Sequence, residues 1–279
     1  MFYFAYDGSI NGDWVSHYAV QLAAAQVDRQ LNLVHVRDGL TQRAELEEKL
    51  RRLRGECARA GVEVVPHILD TDRQVLPAVL ARVPGGPEHF LLCGTRARQR
   101  QRAILSGTIS EQLLRSGHCN VLALRVVQTG LLGLPRRLLL PVAGHPRGFR
   151  AGLPFLRLFV PQLSHLHILL VVRVSRWKAW RLSHEATERL RASGRLYCER
   201  VEREVGEQLG LGAKIVDAQS VVSDNVPNEI VLAANKTKSR LIYMGASERN
   251  LSELLLSGSP IEQVLRDATC DVAVYRGIE

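Results

Sequence analysis

Short apolar runs alternate with helix-patterned stretches along the whole chain. Residues 1–6 are almost entirely apolar and end in the turn-forming triplet Asp7-Gly8-Ser9. Beyond it Trp14, Tyr18, Leu22 and Ala25 recur at i, i+4, i+8 and i+11, the period of one helix face. The same reading predicts a strand over residues 31–36, a charged helix over 41–60 and a strand over 62–69. A helix over 74–82, a strand over 89–93, a helix over 108–116 and a strand over 120–126 complete the first half. Apolar β-runs separated by helices imply parallel strands covered by helices on both faces, a doubly wound α/β domain with a five-stranded parallel sheet.

The second half repeats that order. Strands are expected over residues 137–142, 166–172, 213–220, 240–244 and 271–275, with helices over 147–160, 178–209, 227–235 and 259–267. The repetition extends to individual residues. Gly94, Arg98, Leu105, Ser106, Gly107, Glu111, Gln112, Leu114, Arg115, Cys119, Val121 and Arg125 recur 151 positions later, without a gap, as Gly245, Arg249, Leu256, Ser257, Gly258, Glu262, Gln263, Leu265, Arg266, Cys270, Val272 and Arg276. Upstream, residues 31–36 overlay 166–171 at an offset of 135, so the second copy carries about 16 additional residues in its middle. The chain reads as two copies of one domain, residues 1–128 and 136–279, joined where Gly130, Gly133 and Pro135 cluster. The last strand of each copy would be a sheet edge in need of cover, so an internal pseudo-dimer is expected, with a homodimer as a further expectation.

Composition narrows the function. With 46% hydrophobic and 23% charged residues over 279 positions, the chain has ordinary globular composition, which excludes disordered and collagen-like classes. No apolar stretch approaches the roughly 20 residues of a membrane span, and the first residues lack a basic segment followed by a long apolar run, so a cytoplasmic location is expected. The five cysteines, Cys57, Cys93, Cys119, Cys198 and Cys270, are far apart and lack metal-site spacing, and read as small buried hydrophobes. A net charge of +9 invites an anionic partner, but aromatic residues are only 5% of the chain and are not interleaved with the basic ones, which argues against a nucleic-acid platform.

In open parallel sheets, ligands bind beyond the carboxyl ends of the strands. Two loops at such ends stand out in the first copy: Asp7-Gly8-Ser9, and the stretch from Gly94 to Thr108. The latter reads Gly94-Thr95-Arg96-Ala97, nine residues, then Gly107-Thr108 and a helix. Small residues let the backbone approach a ligand, and a helix start offers unpaired amides to an anion. Thr108 also reads as an N-cap, with Glu111 completing a capping box, a role that needs no ligand. Arg96, Arg98, Arg100 and Arg102 make the loop cationic.

On these residues the chain resembles the universal stress protein family, whose nucleotide-binding members carry an Asp after strand 1 and a G-2x-G-9x-G-[ST] loop after strand 4. Here the spacing is kept and the second Gly is Ala97. The resemblance spans both copies and implies an adenine nucleotide alpha hydrolase-like fold in tandem, with ATP or AMP, accompanied by Mg, as cofactor of the first copy. It further implies that Asp7 meets the adenosine part, with Ala5 and Tyr6 beside it, and that Val36 lines the adenine pocket. The amides around Gly94, Arg96, Ala97, Gly107 and Thr108 would hold ribose and phosphates, extended by Ile109 and Ser110.

The second copy departs from this pattern. Ala143 stands where Asp7 does, His145 at the place of Ser9, Glu248 at that of Ala97, and Pro260 follows Ser259. A carboxylate repels phosphate and a proline deletes one amide donor, so this copy is expected to bind no nucleotide. His165 and His167 alternate along a strand and read as part of its face rather than a metal pair; no metal and no catalytic residue is assigned. Asp38, Asp70 and Asp72 read as turn formers or helix caps. The leading expectation is a non-enzymatic stress-response regulator. The alternatives are a nucleotide-free scaffold or sensor that binds a protein or anionic partner, and a slow ATP hydrolase, for which no general base is identifiable.

Overall fold

The computed structural model describes residues 1–37, 39, 41–70, 74–95, 104–131, 134–144, 148–175, 183–246 and 259–278. Contacts divide the chain into two compact units, Met1–Leu134 with Val274–Glu279, and Pro135–Ala273.

The first unit runs β1 (Phe2–Ala5), α1 (Ile10–Ala24), β2 (Gln30–Arg37), α2 (Arg43–Ala60), β3 (Glu63–Asp70), α3 (Val75–Arg82), β4 (Gly86–Gly94), α4 (Ile109–Ser116) and β5 (Cys119–Arg125). Its strand order is β3-β2-β1-β4-β5, and β1 pairs in parallel with both β2 and β4. Chain order therefore reverses at β1, and the crevice between the carboxyl ends of β1 and β4 is where such sheets hold ligands. β1 and β2 are buried nearly throughout, with Phe2, Phe4, Leu31 and Leu33 wholly inaccessible, because helices cover both faces. On α2, Leu46, Leu50, Leu53 and Cys57 form the buried stripe at helical spacing.

The second half of the chain runs β6 (Arg137–Val142), α5 (Leu153–Phe159), β7 (His165–Arg173), α6 (His184–Leu209), β8 (Val216–Ser223), α7 (Val226–Thr237), β9 (Leu241–Gly245), α8 (Pro260–Asp267) and β10 (Asp271–Arg276), the division between the units falling within β10 after Ala273. Its order, β8-β7-β6-β9-β10, is that of the first unit. The repeat seen in sequence is also repeated in detail: Thr108 Oγ1 accepts from the Glu111 amide and Ser259 Oγ from the Glu262 amide, both at 3.2 Å.

Two expected elements change. Residues 213–215 turn, with the Ile215 amide donating to Gly212, so the strand expected at 213 starts at Val216. The helix expected over 147–160 is a short α5 between two 3₁₀ turns, Arg150–Gly152 and Val160–Gln162. Pro161 lacks an amide hydrogen to continue the α-helical ladder, and the Val160 amide closes onto Arg157. The face of α6 is ion-paired, through Arg189 to Glu185 and Arg191 to Glu188.

Candidate functional site

A cavity of about 530 Å³ lies in the first unit at the carboxyl ends of β1, β2 and β4. That volume falls in the range of small-molecule sites. β1 and the turn after it contribute Ala5, Tyr6, Asp7, Gly8 and Ser9; β2 contributes Val34 and Val36; β4 contributes Cys93 and Gly94. Val75 and Val79 of α3 and Leu113 of α4 give the cavity an apolar side, while Thr41, Glu45 and Lys49 give it a polar one.

The turn after β1 is shaped by its own residues. Asp7 Oδ1 accepts from the Ser9 amide at 3.0 Å and from the Ser9 hydroxyl at 2.7 Å, and Ser9 Oγ caps α1 by accepting from the Gly12 amide at 3.1 Å. Gly8 has φ +73°, and a Cβ there would lie 2.7 Å from Thr41 Oγ1, so both backbone and space require glycine.

At the other end of the cavity, Thr108 caps α4. The Gly107 amide donates to Glu111 Oε2 at 2.6 Å, and the buried Glu111 also accepts from Arg115 at 2.8 Å. This modifies the expected capping box: the Glu111 carboxylate reaches Gly107 rather than the amide of Thr108, which donates instead to Leu105. The Ile109 and Ser110 amides belong to the first helical turn, where no intrahelical acceptor exists, and both residues line the cavity. The Ser110 hydroxyl is spent on the Gly94 carbonyl at 2.6 Å, which ties α4 to β4.

Charge is unevenly placed around the cavity. Tyr6 donates its hydroxyl to Asp13 Oδ1, and Lys49 donates to Asp13 Oδ2 at 3.2 Å, to Glu45 Oε1 at 3.0 Å and to the Gly8 carbonyl. Burial, then the bond to Asp13, pushes the Tyr6 phenol above its ordinary range. Burial disfavours the Lys49 ammonium, but its bonds to Glu45 and Asp13 outweigh that and hold its pKa above the usual lysine value. Asp13 and Glu45 thus flank a single ammonium, and Asp7 and Glu45 line the same cavity, so this side favours groups that donate hydrogen bonds. An anionic group is directed instead toward the start of α4. Cys93, within the cavity wall, is held as a thiol, its pKa pushed up to about 12 by burial.

Of the residues singled out from sequence, Ala5, Tyr6, Asp7, Val36, Gly94, Thr108, Ile109 and Ser110 are brought together on this one cavity. Gly107 is not on its wall; with φ +73° it serves the turn into α4. Arg96, Ala97, Arg98, Arg100 and Arg102 lie outside the described residues, as do Asp38, Asp72, His145 and Glu248. Asp70 ends β3 and pairs with Arg37 of β2 at 2.7 Å, and residues 71–73 after it lie outside the described residues. His165 and His167 stack on β7, rings 9° apart in plane, with His167 against Asp217. Among the described residues, no group of three or more His, Cys, Asp or Glu could hold a metal ion, and no helix is long and apolar enough to cross a membrane.

Sequence reasoning missed the α2 and α3 walls. Thr41, Glu45 and Lys49 are four apart, as are Val75 and Val79, but that spacing is equally the mark of an ordinary solvated or core-facing helix side.

The universal stress protein family model matches residues 136–276. A putative universal stress protein of Staphylococcus haemolyticus is 28% identical over 137 residues, covering 43% of this chain and 81% of the relative. Among solved structures, a universal stress protein from Archaeoglobus fulgidus aligns over 99% of this chain and 96% of its own, with TM-score 0.61 and 18% identity. A putative universal stress protein from Pseudomonas aeruginosa aligns over 98% and 92%, with TM-score 0.61 and 17% identity. These two likenesses are of fold. The family match, which takes in half of the chain, shows that the protein belongs to the universal stress protein family.

Proposed function

We propose that this stress-response protein is a regulator built of two family domains, residues 1–128 and 136–279, that holds an adenine nucleotide in the first. The observation that carries the reading is the cavity of the first unit on which Asp7 of the first loop and Thr108, Ile109 and Ser110 of the second meet. Its chemistry suits a nucleoside. Val34, Val36, Val75 and Val79 offer a base an apolar slot, Asp7 and Glu45 offer acceptors to hydroxyl or amino groups, and the α4 amides offer donors to phosphate. The reading of the first unit as a second copy is supported by the shared strand order and the equivalent caps at Thr108 and Ser259.

The test is to identify by mass spectrometry the nucleotide released from purified, denatured protein, and to follow the melting temperature as adenosine, AMP and ATP are added. Release of an adenine nucleotide, or a melting shift that grows with its concentration, supports the reading. A protein that releases none and melts unchanged at millimolar adenosine, AMP and ATP overturns it.

A further inference from the structure

Several charged residues of α2 pair with one another in solvent: Arg43 with Glu47, and Arg51 and Arg52 with Glu48. Lys49 differs. Its side chain is 15% exposed, and its ammonium is directed at the Gly8 carbonyl, Asp13 and Glu45. An ammonium has three protons and no acceptor, so this set occupies its full donor capacity. A lysine in a cavity wall is ordinarily read as a phosphate ligand, but Lys49 has no donor left for one.

What Lys49 does hold is the turn that carries Asp7. Gly8 is buried, so its carbonyl requires a partner within the protein, and Lys49 supplies one. The same ammonium reaches Asp13, whose amide donates to the Ser9 carbonyl at 2.9 Å and whose other oxygen accepts from Tyr6. Three segments thus meet at one atom: the turn after β1, the first turn of α1, and α2. No other cation described on the cavity wall could replace it, since Lys49 is the sole Lys or Arg among the lining residues.

We propose that Lys49 is a positioning residue for the cavity: by clamping the Gly8 carbonyl between α1 and α2, it fixes the turn at residues 7–9 in the shape that presents Asp7 to a nucleoside. The ligand half of this proposal rests on the nucleotide reading of the cavity; the clamp itself does not.

Two variants test it, Lys49→Met, which keeps the aliphatic stem and removes every donor, and Lys49→Gln, which keeps an amide donor should the first fold poorly. In the ligand-free full-length chain, amide exchange by NMR should accelerate about tenfold at Ser9, Gly12 and Asp13 in the Met variant and less in the Gln variant. Val121 and Leu122 of β5 should not change. Unaltered exchange at the three turn amides in both variants overturns the clamp, as does equal acceleration at β5, which marks general destabilisation.

Adenosine titration supplies the second arm, with the wild type, Lys49→Met, Asp7→Ala and the double variant. Affinity should fall about tenfold on Lys49→Met, with no further loss when Asp7 is already Ala, because the lysine acts through that residue. Equal losses in both backgrounds overturn the positioning role. A wild-type chain that binds no adenosine overturns the nucleotide reading and the ligand half with it. Retained binding with unaltered exchange overturns the clamp alone.

Discussion

Replacing Gly12 by alanine should destabilise the first unit even though alanine is the better helix former. Gly12 is buried in the first turn of α1. A methyl group there would lie 2.6 Å from Asp7 Oδ1 and 3.0 and 3.1 Å from Cε2 and Cδ2 of Tyr6. Favourable carbon contacts sit near 3.5–4.0 Å. The Tyr6 ring is buried and tethered through its hydroxyl to Asp13, so the Asp7 carboxylate is the group that must yield. Helix propensity returns up to about 1 kcal/mol, against about 1–3 kcal/mol for overpacking, leaving a net loss of up to about 2 kcal/mol. Gly55, in the interior of α2, is the control: a Cβ there meets nothing nearer than Arg59 Nη1 at 3.8 Å, so Gly55→Ala should stabilise by about 0.5–1 kcal/mol. Urea unfolding of both variants reads the two signs, and adenosine titration reads whether Asp7 has moved. Gly12→Ala should also weaken adenosine, and Gly55→Ala should not. A Gly12→Ala protein as stabilised as Gly55→Ala would refute the reasoning from space and show that the turn after β1 relaxes freely.

Other outcomes follow from the same structure. Thr108→Ala and Ser259→Ala should each cost about 1 kcal/mol in urea unfolding, since each removes the cap of an equivalent helix; a large loss at one and none at the other would break the equivalence of the two units. Burial, against the pull of Asp217, lowers the His167 pKa below the ordinary imidazole value, so the unfolded chain binds a proton before the folded one does. Stability should therefore fall as pH drops through and below about 6.5, and His167→Gln should flatten that slope in chemical unfolding between pH 7 and 5. All five cysteines are buried, and burial pushes Cys57, Cys93, Cys119 and Cys270 up to about 12. A thiol-specific chromogenic reagent should therefore react slowly with the native chain and promptly in denaturant; prompt reaction of the native protein would contradict this burial.

The sequence made the sheet legible because buried parallel strands are written as unbroken apolar runs, and the 151-residue repeat exposed the two-unit plan. It was weaker where local chemistry competes: Gly212 and Pro161 ended or displaced elements whose apolar pattern ran on. The part of the site carried by loops at strand ends was readable, since turn residues and a helix cap have fixed spacings. The α2 and α3 walls were not, because Glu45 and Lys49 look like any solvated pair four residues apart. Only the packing of α2 against α1 and β3 turns that face inward. The pairing of Asp70 was hidden for a related reason, its cross-strand partner Arg37 being 33 positions away in sequence.

The central claim is that the cavity of the first unit, and not the second, binds adenine nucleotide through the loop bearing Asp7. Calorimetric titration of ATP into the wild type, Asp7→Ala and Glu248→Gly tests it most directly. Asp7→Ala should weaken ATP at least about tenfold, on the order of 1.4 kcal/mol, while Glu248→Gly leaves affinity and stoichiometry at one site per chain unchanged. Equal losses from both substitutions, or an affinity indifferent to Asp7, would contradict the account.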